Sequence, residues 1–75
     1  QTLFFPNPQY SVNAIFHTAL DLSQFNVSCY NILGQKIEFK KLQNSIEFAD
    51  NISGNIYVHL QDAKNNYKIA LFIIH

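Results

Sequence analysis

Residues 55–74 read NIYVHLQDAKNNYKIALFII, and the pattern inside this stretch decides the fold class. Ile56, Val58 and Leu60 alternate with Tyr57, His59 and Gln61, the period-two rhythm of a strand with one buried face. Asp62 to Asn66 is a run of residues that favour turns or tolerate positive φ, so the strand stops there. The next strand, Tyr67 to Ile74, closes on Leu71-Phe72-Ile73-Ile74, which is apolar on both faces. Such a strand is either covered on both sides, as in a central strand, or held against a partner.

Reading outward from that stretch, Val, Ile, Phe, Tyr and Thr dominate and no window sustains a period near 3.6. Seven short strands are predicted: Thr2 to Phe5, Ser11 to Thr18, Phe25 to Ile32, Lys36 to Lys40, Ser45 to Ala49, Asn55 to Gln61 and Tyr67 to Ile74. Between them lie Pro6-Asn7-Pro8, Leu33-Gly34-Gln35, Asn51 to Gly54 and Asp62 to Asn66, all rich in turn residues. Strands at this spacing without helices predict an all-β fold, a small two-sheet antiparallel β-sandwich of Ig-like or Greek-key type rather than a closed barrel. Alternation assigns Val12, Ala14, Phe16, Val27, Cys29, Ile37, Phe39, Ile46, Phe48, Ile56, Val58 and Leu60 to the core.

At 75 residues the chain is one domain, 1–75, near the lower size at which a hydrophobic core alone holds a fold. Its 48% apolar and 15% aromatic content supplies such a core. Five lysines balance five acidic residues and are scattered apart from Lys40-Lys41, which excludes a basic surface for nucleic acid. The apolar run Ile69 to Ile74 falls far short of the about 20 residues that span a bilayer, so no transmembrane segment is expected. A single cysteine, Cys29, rules out an internal disulfide and reads as a small core residue. With neither an initiator Met nor a signal peptide, the sequence reads as a piece of a longer chain.

Catalysis needs titratable groups brought together. Asp21, Glu38, Glu47, Asp50 and Asp62 show no repeated spacing, and no GxSxG, HExxH or glycine-rich phosphate loop occurs, so neither an enzyme nor a cofactor site is expected. His17 and His59 sit mid-strand on the solvent side and would need a third ligand to hold a metal. Tyr10, Tyr30, Tyr57 and Tyr67 could form a sugar-stacking platform, or simply cover sheet faces.

Four pieces occur in a fixed order along the chain: FFPNP at 4–8, YNILGQKI at 30–37, ISGNIYVHL at 52–60, and the apolar end. Together they resemble the type A C-terminal sorting domain of the Bacteroidetes type IX secretion system, over Leu3 to about His75. Within that resemblance Pro6, Asn7 and Pro8 give a stiff exit from the first strand, Gly34 and Gln35 a tight turn, and Gly54 a second turn. The usual Leu-Pro-x-Gly-x-Tyr pattern is here Asn51-Ile52-Ser53-Gly54-Asn55-Ile56, so Tyr57 falls one position late and points outward. The family also tends to end on basic residues, where this chain has Lys68 and His75.

The resemblance implies a non-catalytic module at the end of a larger secreted protein, its passenger domain lying N-terminal, that passes through the periplasm and is recognised by the type IX secretion translocon with an outer-membrane shuttle protein. It further implies removal by a sortase-like peptidase, leaving the passenger at the cell surface or extracellular. Lys68, Leu71, Phe72, Ile73, Ile74 and His75 are the expected recognition residues. The alternative reading is an Ig-like adhesion or carbohydrate-binding accessory module of a secreted protein.

Overall fold

The computed structural model describes residues 3–8, 10, 14–49 and 51–75. Among these residues six strands form two antiparallel three-stranded sheets. They are β1 (Ile15–His17), β2 (Phe25–Tyr30), β3 (Lys40–Lys41), β4 (Ser45–Glu47), β5 (Gly54–Asp62) and β6 (Tyr67–Ile74). One sheet has the order β1-β4-β3 and the other β2-β5-β6, which gives the predicted all-β sandwich. A 3-10 turn, Leu22–Gln24, is capped by the Asp21 carboxylate, which accepts from the Ser23 N–H at 3.1 Å.

Side-chain alternation sends one face of each sheet inward. Phe16 and Ile46, paired across β1 and β4, meet Cys29, Val58, Leu60, Ile56, Phe72 and Ile74 from the other sheet. Phe72 lies at the centre of this core. Its ring stacks on Phe16 with centroids 4.0 Å apart, and meets Phe4 at 4.7 Å and Phe48 at 6.0 Å edge-on. Lys41 adds a polar tie between the sheets, its Nζ donating to the Phe25 carbonyl at 3.0 Å.

Most of the expected core is buried here, with Val27, Ile37 and Phe39 half-buried at its margin; Val12 lies outside the described residues. Phe4 and Leu22 join the core from segments whose short patterns carry no periodicity.

Several predicted strands are shorter than the sequence suggests. The first is reduced to a bridge in which Phe5 and His17 exchange hydrogen bonds of 2.8 and 2.7 Å; Thr2 is outside the described residues. The second is described only over Ile15–His17, since Ser11 to Asn13 are also outside them. The predicted strand at Lys36 to Lys40 is corrected more fundamentally. Lys36 bridges Tyr30 and the Ile37 N–H donates to the Cys29 carbonyl at 2.8 Å, both in one sheet, whereas Lys40 and Lys41 pair with β4 in the other. Residues 37–39 therefore cross between sheets and cannot stay in either ladder.

The terminal strand also differs from expectation. It is an edge strand, with β5 in the centre of its sheet. Only one of its apolar faces is covered: Phe72 and Ile74 are buried, while Ile69 and Leu71 are 64% and 40% exposed.

This division predicts opposite results for neighbouring substitutions. Phe72→Ala should cost about 3–5 kcal/mol of stability, as for other buried aromatic truncations. Leu71→Ala should cost less than about 1 kcal/mol, because no cavity forms at a surface position. Urea unfolding of the two variants, followed by circular dichroism, checks the contrast.

Candidate functional site

The site is built on the β5–β6 hairpin. β5 and β6 pair without interruption from Gly54↔Ile74 to Gln61↔Tyr67, and the connecting turn fixes that register. Asp62 organises the turn: its Oδ1 accepts from the Lys64 N–H at 2.9 Å and the Asn66 N–H at 3.0 Å, and Oδ2 accepts from Asn66 Nδ2 at 3.2 Å. Asn65 takes the left-handed conformation the turn requires, with φ 65°. The hydrogen bond from the Asn66 backbone is the largest influence holding the Asp62 carboxyl below its ordinary 3.8. Partial desolvation opposes it, while the Asn66 side chain, the Lys64 N–H and the Lys68 charge add to it.

From that register the outward face of the β2-β5-β6 sheet follows directly. β2 contributes Asn26, Ser28 and Tyr30, β5 contributes Asn55, Tyr57, His59 and Gln61, and β6 contributes Tyr67, Ile69, Leu71 and Ile73. No Asp, Glu or Lys stands at any of these positions. Across it, Tyr30, Tyr57 and Leu71 form one row and Ser28, His59 and Ile69 the next. The β6 side of this face is aliphatic; the β2 side is polar, with the Tyr30 ring edge-on to His59 at 5.3 Å.

The six terminal residues singled out from sequence therefore divide. Phe72 and Ile74 point into the core, Leu71 and Ile73 point outward, and Lys68 and His75 are exposed. His75 lies beside Tyr10, with ring centroids 5.9 Å apart.

The Pro-Asn-Pro segment comes to the same strand. Asn7 Nδ2 donates to the Leu71 carbonyl at 2.7 Å, and the Ile73 N–H donates to Asn7 Oδ1 at 3.0 Å, so one carboxamide covers part of the free edge of β6. With Phe5 bonded to β1 and Phe4 packed on Phe72, residues 4–7 close the sandwich along this edge. The pairing of Asn7 with the terminus had no sequence signal, since 64 residues separate Asn7 from Leu71.

The glycine motifs hold the turns at one end of the same sheet. Gly34 and Gly54 have φ of 81° and 100° with nothing near their missing side chains, so backbone conformation alone selects glycine. Gln35 works through Asn31, whose Oδ1 accepts from the Leu33 and Gln35 N–H groups, both at 2.9 Å, while its Nδ2 donates to Gln35 Oε1 at 2.8 Å. The tight turn after β2 thus depends on Asn31, whose role the sequence reading missed; Asn before a glycine turn was the available signal.

The structure does not bring the other candidates together. His17 and His59 are on different sheets. Among the described residues no group of three or more His, Cys, Asp or Glu is placed to hold a metal ion. Burial pushes the Cys29 thiol up to about 12, which leaves it protonated and unreactive. Tyr30, Tyr57 and Tyr67 share the outward face, while Tyr10 lies outside the strands, beside His75.

Among known families, the model described as the secretion system C-terminal sorting domain matches residues 3–75. Comparison with curated proteins and with solved structures gives no match.

The Asp62 turn yields a pH prediction. Because the folded carboxyl titrates below 3.8, its contribution to stability is complete at neutral pH and is lost as pH falls through the folded value. Urea midpoints of the native chain and of Asp62→Ala should differ at neutral pH and converge once the medium is acid enough to protonate Asp62.

Proposed function

The chain belongs to the secretion system C-terminal sorting domains, modules of type IX secretion, and from that premise we propose how it is read by the export machinery. The recognised feature is the outward face of β6, Ile69, Leu71 and Ile73, with Tyr57 beside it and His75 at its end. Phe72 and Ile74 act indirectly, by fixing that face on a folded sheet. The partners are the translocon and its outer-membrane shuttle protein. Passage through the periplasm is followed by removal of the module by a sortase-like peptidase, with the passenger anchored at the surface or released. The module is an address and carries out no turnover.

The observation that supports this reading is the pair of exposed aliphatic side chains on an uncharged sheet face, Ile69 and Leu71 at 64% and 40% exposure. In so small a domain, apolar side chains contiguous across two strands mark a surface meant for contact. The adhesion alternative finds less support, because Tyr30 is in edge contact with His59 and the exposed Tyr57 and Tyr67 stand four ladder positions apart, so the tyrosines form no common stacking platform.

Deleting the last residues is a poor test, since it removes Phe72 and Ile74 from the core along with the surface residues. Substitutions on the outer face separate the two roles. The chain is fused behind a periplasm-targeted fluorescent protein in a bacterium carrying a type IX system, as the native sequence and as Ile69→Glu with Leu71→Glu. The native fusion should reach the medium or cell surface. The double variant should keep its melting temperature within a few degrees, with export reduced about tenfold or more, equivalent to roughly 1.4 kcal/mol of lost recognition. Undiminished export of the folded double variant sinks the assignment of this face, and failure of the native fusion sinks the sorting role.

A further inference from the structure

β6 has two hydrogen-bonding edges, and β5 occupies one of them. In an antiparallel ladder the N–H and C=O of one residue point to the same side and those of the next to the other. Because the Leu71 carbonyl and the Ile73 N–H reach Asn7, the odd-numbered positions, Ile69 included, face the edge away from β5. Asn7 takes the two groups that one residue of a parallel neighbouring strand would engage.

This edge lacks the usual defences against pairing with another strand. Its eight residues contain no proline, its pairing with β5 runs without a bulge, and Lys68 is its one lysine. We propose that Asn7 is a removable cap on a self-complementary edge, and that without it β6 pairs antiparallel with β6 of a second copy of this chain. This goes beyond the export reading and does not rest on it.

The sequence of β6 accommodates such a pair centred on Leu71. With the two-fold axis at Leu71, Ile69 lies opposite Ile73 of the second copy and Ala70 opposite Phe72, so each face continues its own apolar row. Lys68 then lies opposite Ile74. The two Lys68 positions are six residues apart along the strands, about 20 Å at roughly 3.3 Å per residue, beyond the screening length of about 8 Å. An axis at Ile69 would bring the two lysines within about 7 Å, inside that screening length. Charge therefore disfavours the axis at Ile69, and the pairing about Leu71 uses the Leu71 carbonyl and the Ile73 N–H, the groups Asn7 holds. Cap and second copy are mutually exclusive. Pro6 and Pro8 on either side of Asn7 are exposed, so no core packing by its neighbours holds the carboxamide in place, whereas Phe4 and Phe5 are fixed by their own contacts.

The test uses the 75-residue chain as native, Asn7→Ala and Asn7→Asp, the last keeping an acceptor for Ile73 but losing the donor to Leu71. Sedimentation equilibrium from micromolar to submillimolar concentration is combined with amide hydrogen exchange. The native chain should remain monomeric, with the Ile73 amide protected and the Leu71 amide exchanging fast at every concentration. The variants should form dimers in which the Leu71 amide becomes protected as concentration rises, a signature that loosening of the fold would not give. Folded variants that stay monomeric overturn the proposal, as do dimers with an unprotected Leu71 amide or a native chain that dimerises over the same range. Loss of the fold in both variants overturns it as well, because Asn7 would then be a support of the sandwich and not a removable cap.

Discussion

The stacking of Phe72 on Phe16, with ring centroids 4.0 Å apart, is the contact on which the rest of this structure depends. It joins the two sheets at their centre, and Phe4 and Phe48 complete the cluster by meeting the same ring. In a 75-residue chain the core is small relative to surface, so one buried aromatic carries an unusual share of the hydrophobic stabilisation. Phe72 lies on the last strand, and this ties the fold to the end of the chain.

The beginning of the chain is tied in at the same place. Phe4 enters the core against Phe72, Phe5 exchanges two hydrogen bonds with His17 on one sheet, and Asn7 bonds the edge of β6 on the other. A segment of four residues therefore spans both sheets along one side. Phe4 and Asn7 reach β6 across more than 60 residues, so loop-closure entropy opposes these two contacts more than it opposes the Phe5–His17 pair.

Legibility in the sequence followed the range of the interactions. The alternation of Ile56, Val58 and Leu60 specified β5 and its buried face because period two is local information, and Gly34 and Gly54 marked turns because positive φ is a property of one residue. The four ordered motifs identified the family correctly over 3–75. What could not be read was long-range: that residues 37–39 pass from one sheet to the other, that Asn7 reaches Leu71, and that Phe4 belongs to the core. The terminal strand was half legible. Its apolar residues were evident on both faces, but which face is buried depends on which sheet stands opposite, and no feature of residues 67–74 records that.

The two faces of β6 also bear on what kind of signal a sorting domain of this sort carries. The rows Tyr30, Tyr57, Leu71 and Ser28, His59, Ile69 draw one residue from each of three strands, and the first two strands are separated by the whole β3–β4 hairpin. Those rows exist only when β5 is flanked by both neighbours in register, which requires Phe72 and Ile74 to be buried on the opposite face. On the reading given above, the exporter would therefore recognise a folded surface and not a linear peptide. On that reading the residues that hold the fold and those proposed for recognition alternate along a single strand, so an unfolded module presents neither the register nor the surface.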